Sequence, residues 1–196
     1  MVTTDDERYE VPPERLERWI GRWAEQHGGV ADARTGAERL TLTGADGAVV
    51  ACDPPFPPLD GKGIEGLLAH VRRERVVGVL LVRLGGHATG VFAGRRLVDS
   101  KVGSRLVHGR HRKGGSSARR FERRREGQAR LALEQAADTA VRILLPHRDD
   151  LEVLEDDRLR PLRRLVVEPV IDVPDPRQNV LEGMPDRFLA TRLTLS

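Results

Sequence analysis

Among 196 residues there is one cysteine, Cys52, so neither an internal disulfide nor a thiolate zinc cluster is available to this chain. Aromatic residues make up 4%, which leaves a core of aliphatic side chains. No apolar run approaches the roughly 20 residues needed to span a bilayer. Met1 to Glu10 is acidic where a secretory signal is basic and then apolar. These absences exclude a disulfide-stapled secreted scaffold and a helical membrane protein, and they point to a cytoplasmic protein with no membrane partner. What is present is 39% hydrophobic and 32% charged, the balance of a soluble globular chain with a heavily charged surface. The length suits one domain, or one domain with a small N-terminal appendage.

Hydrophobic periodicity orders the chain. Pro12 and Pro13 can open a helix whose Leu16, Trp19, Ile20 and Trp23 share a face, and Gly28 and Gly29 stop it. Leu40 to Thr43 and Ala48 to Asp53 flank Ala45-Asp46-Gly47, a hairpin signal. Asp53 to Pro58 holds four prolines, which remove donors and keep the chain extended. It marks a subdomain boundary, with 1–58 an N-terminal helix plus hairpin and 59–196 the main domain. Past it, a short helix is expected over Ile64 to Glu74 and a buried strand over Val76 to Leu84. Gly85 to Gly90 reads as a turn with a structural His87, and Ala88 to Ala93 with Leu97 to Leu106 as a second hairpin around Gly94-Arg95-Arg96.

A long helix is expected over Ala118 to Leu145, ended by Pro146, with apolar positions at helical spacing from Ala129 through Leu133 to Leu145. Short strands near Leu151 to Leu154 and over Leu165 to Val173, a one-turn helix after Pro176 and a closing strand over Arg187 to Leu195 complete the series. Such a succession indicates an α/β or α+β domain, a mixed sheet with flanking helices.

The net charge of +3 hides an uneven distribution. From Arg105 to Arg125 nine residues are Lys or Arg and one, Glu122, is acidic, so the remaining chain is net acidic. A segregated basic block is the electrostatic footprint of a phosphate-binding surface, because neutralised phosphates release condensed counterions. Within it Val107 to Ser117, with Gly109, Gly114 and Gly115 among basic residues, is an exposed loop, and it enters the long helix at a cap expected on Ser117. Arg119 and Arg120 sit in the first turn, where cations oppose the helix dipole. Arg119 with Arg123, and Arg120 with Arg124, are like charges at i,i+4. Glu122, three residues from Arg119 and Arg125, and Glu126, three from Arg123, offset part of this, so a salt-bridged solvated helix is the alternative to the reading in which Arg110, Arg112, Lys113, Arg119, Arg120, Arg123 and Arg124 are the candidate RNA contacts. The helix should be anchored by its second half and project its first.

At this stretch a family pattern emerges. Gly85-Gly86-His87, Val91-Phe92, Lys113-Gly114-Gly115, then Arg120-Phe121 and Arg123-Arg124-Arg125-Glu126-Gly127-Gln128-Ala129 together resemble the actinobacterial and Chloroflexi branch of the Vms-like release-factor (VLRF) domain. The likeness covers Val76 to Ala140 well and Val173-Pro174-Asp175-Pro176 more loosely. Such domains are similar to the central domain of eukaryotic class-one release factors. The resemblance implies a mixed sheet of ribonuclease-H-like topology with a glycine loop leading into a long helix. It also implies peptidyl-tRNA hydrolysis on stalled large ribosomal subunits, without metal or cofactor. The implied partners are the large ribosomal subunit, peptidyl-tRNA and ribosomal RNA, and the implied catalytic loop is Gly114, Gly115, Ser116 and Ser117.

One departure bears on the chemistry. In that branch the loop continues past Gly-Gly with an aromatic, a serine and two glutamines, one of which is held to place the attacking water. Here those positions read Ser116, Ser117, Ala118 and Arg119. Two activities therefore stay open, a hydrolase and a catalytically degenerate ribosome- or RNA-binding protein. A metal nuclease is the remaining enzyme alternative: Asp53, Asp99 and Glu168 lie on or near candidate strands, and nothing in the sequence brings them together.

Overall fold

The computed structural model describes residues 7–83, 86–104, 117–151 and 176–196, with backbone alone for 117–126, 128 and 129. In chain order the elements are β1 (Glu7–Val11), α1 (Pro13–Gln26), β2 (Val30–Thr35), β3 (Leu40–Gly44), β4 (Val49–Asp53), α2 (Gly63–Arg72), β5 (Val76–Arg83), β6 (Gly86–Ala93), β7 (Arg96–Ser104), α3 (Ser117–Leu144), α4 (Gln178–Glu182), α5 (Pro185–Phe188) and β8 (Thr191–Leu195). The fold is α+β. Two units divide the chain, Met1–Glu74 with Pro185–Ser196, and Arg75–Met184.

The first unit is built on a five-stranded sheet of order β1-β8-β4-β3-β2, antiparallel throughout. Alternation along β3 and β4 sends Leu40, Leu42, Val50 and Cys52 to one face, and Leu193 joins them from β8. Leu16, Ile20 and Trp23 of α1 and Leu67, Leu68 and Val71 of α2 close over that face in one cluster. Each fully buried aliphatic side chain there stabilises the fold by about 1.5–3 kcal/mol. Cys52 is fully buried, and desolvation pushes its thiol up to about 12, so it serves as a small apolar strand residue.

The proline segment after β4 belongs to this unit, and the division falls after Glu74 rather than after Pro58. The reason is local. Asp60 donates its backbone N–H to His70 Nδ1 at 3.1 Å, and the other ring nitrogen of His70 meets the Pro55 carbonyl at 2.9 Å. Leu59 is buried in the same core. A segment pinned at both ends to α2 is a strap of the unit rather than a linker.

The second unit carries a three-stranded antiparallel sheet of order β5-β6-β7. On one face Val91 packs with Ala140, Ile143 and Leu144 of α3 and with Leu151, and Val76 and Leu80 add to the cluster. On the other, Leu181 of α4 lies over Gly90, where any Cβ would come within 3.0 Å of it. That close approach explains a correction. Gly86 to Gly90, expected as a turn, is strand, and its glycine admits a neighbouring side chain instead of bending the backbone.

Two further expectations change. Burial along the described side chains of α3 begins at Ala136, and Leu133 remains 48% exposed, so the anchored stretch is shorter than the apolar spacing suggested. The closing strand starts at Thr191, because Arg187 lies in α5. An isolated parallel bridge joins Val76 to Leu151. The rest of the strand expected near Leu151, and the one over Leu165 to Val173, lie outside the described residues.

Candidate nucleic-acid interface

Helix α3 runs without interruption from Ser117 to Leu144, about 42 Å at 1.5 Å per residue. Its sequence explains the length: there is no proline, and its one glycine, Gly127, stands exposed with open space where a Cβ would go. Leu145–His147 tightens into a 3-10 turn where Pro146 removes a donor. The buried residues Ala136, Ala137, Thr139, Ala140, Ile143 and Leu144 hold the C-terminal part to the sheet. Toward the N-terminus the described side chains are exposed or half-buried, including Leu131 and Leu133, and Arg130 pairs at 3.0 Å with Glu134 one turn on.

Of the residues singled out in the sequence, Ser117 opens α3, and Ala118, Arg119, Arg120, Arg123 and Arg124 occupy its first two turns. Helical geometry puts Arg119 with Arg123, and Arg120 with Arg124, on adjacent rows of the same helix end. No acidic residue stands in the first turn. Arg110, Arg112, Lys113, Gly114, Gly115 and Ser116 lie outside the described residues, as do His108 and His111. Gln128 is ten residues past Ala118 on a continuous helix, about 15 Å along the axis. It is not within reach of the helix start.

A second constellation sits at the anchored end. A cleft of about 290 Å³ is lined by Lys101, Val102, Gly103 and Ser104 of β7, His87 of β6, and Gln135, Asp138, Thr139 and Arg142 of α3. His87 Nε2 and Thr139 Oγ1 share a 3.1 Å hydrogen bond. The His87 ring packs on Gly103, its cross-strand partner, so closely that a Cβ there would fall 2.4 Å from a ring carbon. Desolvation lowers the His87 pKa and holds the imidazole neutral near pH 7. Sequence reasoning read His87 as structural and found no cleft. His87 and Thr139 are 52 residues apart, and no spacing rule joins them.

Of the carboxylates considered for a metal, Asp53 accepts two hydrogen bonds from Arg39 at 2.8 and 3.0 Å, and Asp99 is on β7. Glu168 lies outside the described residues. Among the described residues there is no group of three His, Cys, Asp or Glu placed to hold a metal ion, and no helix is long and apolar enough to cross a membrane.

Comparison with known proteins adds an independent line. The model of the family described as Actinobacteria/chloroflexi VLRF1 release factor matches residues 75–194. The chain is also similar to Peptide chain release factor subunit 1 of Archaeoglobus fulgidus, 33% identical over 99 residues, which are 50% of this chain and 21% of that protein. It thus spans about a fifth of that relative's length. No solved structure matches.

Proposed function

The chain belongs to the Actinobacteria/chloroflexi VLRF1 release factor family, and from that premise we propose that it acts in the cytoplasm on peptidyl-tRNA held by stalled large ribosomal subunits. The observation that carries this reading is the coincidence of the family match over 75–194 with the basic block, whose C-terminal part occupies the end of α3 remote from its buried residues. A rod held at one end and cationic at the other can carry a loop into an RNA-walled centre while Arg119, Arg120, Arg123 and Arg124 neutralise phosphates around it. The similarity to an archaeal peptide chain release factor subunit supports the same substrate class. A mixed, ribonuclease-H-like sheet is part of the proposal, and the parallel bridge beside β5 supports it.

The reaction is cleavage of the ester between peptide and tRNA by water. Gly114 and Gly115 let the backbone approach closely, and backbone amides with the ribosomal centre supply orientation and stabilise the developing oxyanion. With Ser116, Ser117, Ala118 and Arg119 where the family branch has its glutamine-containing run, a serine hydroxyl is the polar side chain left to hold the water. That same substitution favours the second reading, a ribosome- or RNA-binding protein without hydrolysis. One assay separates them. Incubation with large subunits carrying a labelled peptidyl-tRNA releases the peptide if the first reading holds. Salt-sensitive binding without release establishes the second, and absence of binding rejects both.

A further inference from the structure

We propose that the cleft between β7 and α3 is a second RNA contact, taking one backbone phosphate with its ribose, on the opposite part of α3 from the arginine-rich tip. Lys101 and Arg142 line it from facing walls, one on the strand and one on the helix. Among the described residues neither forms an ion pair. With Lys101 and Arg142 against the single carboxylate of Asp138, the charged side chains of the lining leave one positive charge in excess, which suits an anion, and the ammonium and the planar guanidinium together match a phosphate. Asp138 stands one turn before Arg142, with Gln135 three residues before it. A carboxylate and an amide beside a phosphate site suit the ribose hydroxyls, which both donate and accept.

The occupant's chemistry is narrowed by what lines the walls. Among the described lining residues Val102 is the one large apolar side chain and there is no Phe, Tyr or Trp, so these residues offer no stacking platform for a base. The volume of about 290 Å³ lies at the small end for ligand sites, of the order of one backbone unit. His87 contributes shape rather than charge, its ring fixed between Gly103 and the Thr139 hydroxyl. Gln135 is 18 residues past Ser117, about 27 Å along the helix, so tip and cleft grip separate stretches of backbone.

The assignment rests on the reading of this chain as an RNA-acting protein, and the experiment keeps the two apart. The full chain is titrated with a labelled RNA hairpin and with its DNA counterpart over 50 to 200 mM salt. Replacing Lys101→Ala together with Arg142→Ala is expected to weaken RNA binding about three- to tenfold at the lowest salt and to reduce the salt slope by about one, with an unchanged melting temperature. Gln135→Ala with Asp138→Ala is expected to narrow the preference for RNA over DNA, since the partners removed serve the 2′-hydroxyl. An unchanged preference overturns the ribose assignment. Wild-type affinity and slope in the Lys101/Arg142 variant, while replacement of Arg119, Arg120, Arg123 and Arg124 abolishes binding, overturn the cleft and leave the RNA reading standing. Failure of the wild type to bind either hairpin or large subunits overturns both.

Discussion

The two ends of α3 obey different rules. From Ala136 to Leu144 the helix is spaced for packing, with alanines against the sheet and Ile143 and Leu144 filling the cluster around Val91. From Ser117 to Arg125 it is spaced for charge, with arginines where the dipole and their own repulsion disfavour them. Residues that stabilise and residues that oppose stability share one continuous element. The difference is that the second part carries the packing, while the first carries charges that helix formation itself does not favour.

The strongest way to break that comparison is to attack the anchor. Leu144→Ala removes a fully buried side chain and is expected to destabilise the second unit by about 2–5 kcal/mol, measured by chemical denaturation. A loss below about 1 kcal/mol would mean that the helix is held elsewhere. The reciprocal change, Arg119, Arg120, Arg123 and Arg124 to Ala together, is expected to lower affinity for large subunits roughly a hundredfold at 50 mM salt, because about four phosphates are no longer neutralised. Stability should hold or rise slightly, because unfavourable charge at the helix start has been removed. Equal subunit affinity in that variant and the wild type would sink the division of labour between the two ends.

Between these extremes lies Gly103, which tests whether the anchored end is packed as tightly as its burial suggests. Gly103→Ala places a Cβ 2.4 Å from the His87 ring, so the ring must shift, which strains its hydrogen bond with Thr139. The expected cost is about 1–3 kcal/mol of stability. A melting temperature matching the wild type would show that the ring has room to yield.

How far all this is legible in the sequence depends on which forces write the pattern. Helix α1 was readable because Leu16, Ile20 and Trp23 bury one face, and the β3–β4 hairpin because Gly47 takes a positive φ of 89° at a turn signal. The strands that escaped, β1 and β2, are the two edges of the five-stranded sheet. Exposed along nearly their whole length, with sequences Glu-Arg-Tyr-Glu-Val and Val-Ala-Asp-Ala-Arg-Thr, they carry the charges that protect an edge and so lose the alternation that announces a strand. The return of β8 to pair with both β1 and β4 is a long-range event that no local window contains. The same division applies to the site. The arginine-rich tip is a local run and declares itself in the charge count, whereas Lys101, His87 and Arg142 become neighbours only once β6 and β7 have paired and α3 has docked.

The smallest expected effect is a pH dependence that distinguishes the anchored end from the cationic one. Burial lowers the folded-state pKa of His87 from its ordinary 6.5. Above that value the ring is neutral in folded and unfolded chains alike, and pH leaves its contribution untouched. As pH falls through 6.5 the unfolded chain takes up the proton first, so stability declines until the lowered folded value is passed. The ring is only partly buried, so the loss is modest and is best read locally, by amide exchange of Ala88 to Val91 and of Ile143 and Leu144 at about pH 7.5 and about pH 5.5, on either side of the ordinary histidine value. Protection should fall on acidification in the wild type and fall less in His87→Gln, which keeps a polar group near Thr139 without the titration. Parallel declines in the two proteins would assign the acid sensitivity to other groups, and would remove His87 from the account of what stiffens the helix base. Arginines at the far end do not titrate in this range, so their contribution to RNA affinity should be the same at both pH values.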